Sequence, residues 1–150
     1  MKPTSPLPSH HKHCDDLFAD AETAARDRRW TDAKGLFVRF QAEMLAHFAT
    51  EEEVLFPAFE GATGMTGGPT QMMRFEHAQM KDLLADMASA IADGDGERYA
   101  GAGETLLVLM QQHNLKEENI LYPMCDRALG GRDLALEQAL RSRADSACRN

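Results

Sequence analysis

The segment HFATEEEVLFP, residues 47–57, recurs as HNLKEENILYP, residues 113–123, with five identities and with Val/Ile and Phe/Tyr as close replacements. A second pair, HKHCDDLFADAE from His11 and HAQMKDLLADMA from His77, also shares five identities. Both pairs stand 66 residues apart (47 to 113, 11 to 77), so one offset aligns two separate segments. Tandem self-similarity of this kind confines the chain to a duplicated unit, here a helical hairpin repeated about a pseudo-two-fold axis. The repeat equates His11 with His77, His47 with His113, and Glu51 with Glu117.

Turn residues set the hairpins out. Pro3, Pro6 and Pro8 mark residues 1–8 as a flexible tail, with Ser9 capping a first helix over about 9–29. Thr31 or Asp32 caps a second helix that continues to about residue 59. The stretch from Gly61 to Gly68 reads as a loop, and Pro69 suits the first turn of a third helix. Asp93-Gly94-Asp95-Gly96 ends that helix, and a fourth runs over about 97–127. After Gly130-Gly131, a shorter helix over about 132–146 lies on the outside, within a C-terminal stretch 128–150. Helix formers are abundant and β-branched residues sparse. The expectation is an all-α fold: an antiparallel up-down-up-down four-helix bundle over residues 9–127, built from the duplicated hairpin, plus a short C-terminal helix.

Each long helix carries one stripe at heptad spacing. The first has His11, Cys14, Phe18, Ala21 and Ala25; the second has Phe37, Phe40, Met44, His47, Glu51, Val54 and Ala58. The third has Met73, His77, Met80, Leu84, Met87 and Ile91; the fourth has Leu106, Met110, His113, Glu117, Ile120 and Met124. The Phe, Leu and Met members are ordinary core, the methionines filling irregular gaps. A His on every stripe and a Glu on two are not. At ~1.5 Å per residue, His11 and His47 lie ~28 and ~24 Å from their turn, and His77 and His113 match them. The four imidazoles are expected at one level. Buried unpaired, the carboxylates would be very costly, so something must neutralise them. Carboxylates and imidazoles converging from several helices suit iron or manganese, with zinc a weaker competitor.

Composition narrows the field. Lys plus Arg is 16 against 24 for Asp plus Glu, a net charge of -8 that repels phosphate backbones and anionic lipid, so no nucleic acid and no membrane is expected as partner. No apolar run approaches the roughly 18 residues of a membrane span, and the N-terminal residues lack the apolar centre of a signal peptide, so a cytoplasmic location is expected. Cys14, Cys125 and Cys148 are unclustered and signal neither a disulfide framework nor a thiolate zinc site. His10 and His13 flank His11 but point elsewhere on the helix. Cys14 reads as a buried thiol, with a redox role as the alternative. Glu52, Glu53, Glu118 and Asp16 read as solvated groups or as partners that orient imidazoles. Tyr122 and Cys125 read as packing residues, and Trp30 as the closure of one end of the core.

The paired H-x-x-x-E segments, with an upstream His in each hairpin, resemble hemerythrin-like domains over about residues 9–127. The resemblance implies a non-haem di-iron centre with an oxo or hydroxo bridge, manganese or zinc being possible replacements. His11, His47, His77 and His113 would be terminal ligands, and Glu51 and Glu117 bridges. Oxygen-carrying members have H-x-x-x-H on the third helix, where this chain has Met73, expected to leave an open or water-filled position. They also place the second carboxylate five residues after its His. Here Glu117 is at four and Glu118 at five; five residues turn the helix ~500°, about 140° off the His face, so Glu117 is preferred. The implied function is binding or sensing a small diatomic, dioxygen or nitric oxide, or handling iron or redox stress. Alternatives are a di-iron enzyme (peroxidase, oxidase or nitric oxide reduction) and a haem-binding or interaction bundle with Met and His as axial ligands. No protein partner is indicated.

Overall fold

Prolines that were expected to keep the N-terminus out of helix instead open one. In the computed structural model, which describes residues 2–149 and the side chains of residues 2–147, α1 spans Pro6–Arg26. The first N–H groups of a helix have no intrahelical acceptor, so Pro6 and Pro8 sacrifice nothing there. Ser9 is consequently an interior residue whose hydroxyl donates to the Pro6 carbonyl, not a cap. Nor are residues 3–8 a free tail. Leu7 is buried among apolar side chains, and the Thr4 N–H and hydroxyl donate to Asp126 at 2.9–3.0 Å. Thr4→Ala is expected to lower unfolding stability by about 1 kcal/mol in a denaturant titration, where a free tail would show no change.

The remaining helices are α2 (Trp30–Thr50), α3 (Phe56–Thr63), α4 (Pro69–Ala92), α5 (Gly96–Lys116), α6 (Tyr122–Leu129) and α7 (Leu136–Arg149). The described residues contain no strand, and no helix among them is long and apolar enough to cross a membrane. Helix α2 begins one residue before the expected caps, because Arg28 turns the chain in the left-handed region (φ 57°). Its repeat partner, Gly94 (φ 63°), does the same in the second hairpin without the Cβ penalty. Asp95 then caps α5 by accepting from the Arg98 N–H.

Helices α2 and α3 are continuous through a π-turn at Glu51–Leu55, and α5 and α6 through one at Glu117–Leu121. The Phe56 N–H reaches back five residues to the Glu51 carbonyl, as Tyr122 does to Glu117. Pro57 and Pro123 follow immediately, and a proline has no N–H for the carbonyl four residues earlier and crowds it, which favours the wider turn. The extra residue shifts the buried face by one position. Leu55, Phe59, Leu121 and Cys125 are buried where the heptad stripe had Val54, Ala58, Ile120 and Met124, and Ile120 is 57% exposed.

Helix α1 packs on α2 and α4 on α5, with α2 against α4 and α1 against α5; α3 meets α6, and α7 lies on α2 and α1. Two apolar clusters result. One gathers Phe18, Phe37, Phe40, Leu84, Leu106 and Met110, with Trp30 against its edge. The other gathers Leu7, Leu55, Phe56, Leu121, Leu129 and, from α7, Leu136 and Leu140. Along each of the four long helical runs the crossover falls at a polar residue: Leu7, His11, Cys14; Met44, His47, Glu51, Leu55; Met73, His77, Met80; Met110, His113, Glu117, Leu121. A polar layer divides the core.

Candidate metal centre

That layer consists of the six residues singled out by the repeat: His11, His47, Glu51, His77, His113 and Glu117, each no more than 5% exposed. Their ligating atoms fall into two overlapping groups, within 4.8 Å in each: His11, His47 and Glu117, and Glu51, His77, His113 and Glu117. Both carboxylates reach the two imidazole pairs. Glu117 Oε1 lies 3.1 Å from His11 Nε2 and 3.3 Å from His113 Nε2. Glu51 Oε1 lies 3.1 Å from His77 Nε2, and its Oε2 lies 3.5 Å from His47 Nε2.

All four Nε2 atoms point inward because each Nδ1 is engaged from outside. His11 Nδ1 meets Glu118 Oε2 at 2.7 Å, His77 Nδ1 meets Glu52 Oε2 at 2.7 Å, and His113 Nδ1 meets Glu76 Oε1 at 2.8 Å. An Nδ1–H donated to a carboxylate leaves the lone pair on Nε2, the form that binds a cation. His47 departs from this pattern. Its Nδ1 faces His10 Nδ1 at 2.9 Å, and His10 Nε2 faces Glu43 at 2.8 Å. His10 therefore does not point away from the site as expected; it links His47 to a carboxylate. His13 is half-exposed, 3.7 Å from Glu43.

Charge in the layer is unbalanced. Burial pushes His47 down to about 3, more than the pull of Glu51 restores. Burial acts on His77 in the same direction, but the neighbouring Glu51 and Glu52 carboxylates overcome it and hold this imidazole up at about 9. Burial and then the nearby Glu51 charge raise Glu117 above the usual carboxylate range, while Glu51 is held low against its burial by the imidazoles around it. Four buried ligating atoms, Glu51 Oε1, Glu117 Oε2, His77 Nε2 and His113 Nε2, have no hydrogen-bond partner among the described residues; the 3.1 Å approach of His77 to Glu51 is misaligned for one. Unpartnered imidazole nitrogens and carboxylate oxygens converging from several helices are what a cation, displacing any imidazole proton, would satisfy. The residues present fit a metal centre.

Tyr122, expected as a packing residue, enters the layer as well. Its hydroxyl donates to Glu51 Oε2 at 2.6 Å and lies 3.0 Å from Glu117 Oε1, 3.2 Å from His11 Nε2 and 3.3 Å from His47 Nε2. Met73 does not border an open position. It is 3% exposed in the apolar cluster that also holds Leu7, its repeat partner. Glu118 stays outside the layer, half-exposed, as the partner of His11 Nδ1. Cys14 and Cys125 are buried thiols; burial raises both, Cys125 to about 12, which makes them poor nucleophiles. The Cys148 side chain lies outside the described residues.

Fold and site together define an all-helical protein whose core is crossed by a buried His/carboxylate layer able to hold metal. The hemerythrin HHE cation binding domain matches residues 3–125, and the chain belongs to that family. No curated protein and no solved structure matches the sequence.

Proposed function

We propose that the layer holds two iron ions and that the protein binds or senses a small diatomic such as dioxygen or nitric oxide, or handles iron or redox stress. The observation that carries this reading is the sharing of Glu117 between the two groups of ligating atoms, with Glu51 reaching both imidazole pairs. His11 and His47 would hold one ion, His77 and His113 the other, and Glu51 and Glu117 would lie between them. This assignment goes with an antiparallel up-down-up-down arrangement of the two hairpins, related by the repeat. Iron held in this way supplies reversible one-electron chemistry and coordination positions for a diatomic. The chain's own contribution is orientation. Glu118, Glu52 and Glu76 fix three imidazoles with Nε2 inward, and the apolar clusters on either side exclude water.

Iron-reconstituted protein is expected to hold about two ions per chain by metal analysis. Glu51→Ala should lose the paired centre. Glu52→Ala and Glu118→Ala should keep close to two ions and weaken affinity by roughly 10–100-fold, the usual cost of removing a group that orients a ligand. Retention of a single zinc, or of no metal, after reconstitution would overturn the proposal.

A further inference from the structure

The repeat holds at the six residues of the layer and breaks at several positions around them, two of which bear on one imidazole pair. Phe56 is matched by Tyr122, and Glu76 by His10. Both differences alter the surroundings of the His11–His47 pair. On the other side, the Phe56 ring stacks on His77 at 5.9 Å and 18° and offers no ligating atom. Tyr122 stacks on His11 in nearly the same pose, at 5.8 Å and 19°. The added oxygen therefore extends from a position the repeat has already fixed.

Every hydrogen-bond partner of that oxygen among the described residues is one of the layer's own ligating atoms, at 2.6–3.3 Å. Two atoms bound at right angles to one ion, each at about 2.0–2.2 Å, sit about 3 Å apart. The hydroxyl thus has the separations of a neighbour within a coordination shell, and the ring behind it is enclosed by the apolar cluster of Leu55 and Leu121. We infer that Tyr122 is a further ligand, through its phenolate oxygen, of the ion held by His11 and His47. Ligation releases the phenol proton to solvent and moves no electron. The two ions are then chemically distinct: one has a phenolate in its shell, and the other has imidazole and carboxylate alone. This inference rests on the metal-binding reading above and is separable from it.

The chain has two tyrosines, and the other, Tyr99, lies in the opposite apolar cluster. The full chain loaded with ferric iron should show a visible phenolate-to-iron charge-transfer band, with tyrosinate ring modes in resonance Raman on excitation into it. Both should persist in Tyr99→Phe and vanish in Tyr122→Phe, which installs the residue of the repeat partner Phe56 and should still bind two ions. Should Tyr122→Phe fail to fold, the signal in Tyr99→Phe assigns the ligand by elimination. Iron-loaded protein with no tyrosinate signal, or with a signal that survives in folded Tyr122→Phe, overturns the inference and leaves the di-iron reading standing. Failure of the parent chain to bind iron removes both.

Discussion

Glu117→Gln is expected to empty the centre without weakening the metal-free protein. Glu117 is fully buried and belongs to both groups of ligating atoms, so on the proposed two-ion reading a neutral amide there would remove a ligand from each ion at once. Its charge is also a burden when no metal is bound. Burial and the neighbouring Glu51 both raise its proton affinity, and its Oε2 has no partner among the described residues. A glutamine keeps the shape and an oxygen that can still accept, and it relieves the repulsion with Glu51. Replacing a buried charge by a well-fitting neutral group is often neutral or stabilising by about 1–4 kcal/mol. Metal analysis should fall from about two ions per chain to less than one, while the chelated variant should melt at or above the chelated parent. A variant that keeps both ions, or whose metal-free form melts several degrees lower, would show that Glu117 serves packing and not ligation. Glu118→Gln is the matched control, since Glu118 reaches only the outer nitrogen of His11.

The 66-residue repeat made much of this legible from sequence, because it tied a His on each long helix to one level and made the helical reading and the family resemblance mutually consistent. What it hid lay in local backbone chemistry. A heptad stripe extended through Glu51 and Glu117 assumes an unbroken α-helix, yet both runs widen before a proline, at Pro57 and Pro123. Those prolines, at matched positions inside apparently continuous helices, were the available signal for the π-turns. The widened turn is why Leu121 and not Ile120 is buried. Tyr122 was obscured for a different reason. Its pairing with Phe56 looks conservative, and only the fold shows that the one atom by which they differ falls among the ligating atoms. His10 and Glu76 were similarly hidden. They precede the layer's histidines by one residue, which reads as another face, but they serve the imidazole of the neighbouring helix and not their own. At the N-terminus the prolines read as helix breakers, a property that does not apply in a first turn.

A polar layer through the middle of a core also predicts how this protein should melt. The apolar clusters on either side meet across four imidazoles and two carboxylates. Four of those buried atoms have no hydrogen-bond partner among the described residues, and unless a cation meets them each carries a desolvation cost that folding must absorb. Metal removes that cost only in the folded state, because the six groups converge only there; in the unfolded chain His11 and Glu117 are separated by 106 residues. A ligand that binds the folded state alone stabilises it by about 2.7 kcal/mol at 100 times its dissociation constant and by about 4.1 at 1,000 times. For a chain of this size each kcal/mol moves the melting temperature by about 2–4 °C. Chelating the iron should therefore lower Tm by roughly 5–15 °C, and stoichiometric iron should restore it. Glu117→Gln, unable to hold the pair, should melt at one temperature with or without iron. If the parent chain's melt is equally indifferent to iron, the layer is a structural network in its own right and its orphaned atoms are satisfied by something other than metal.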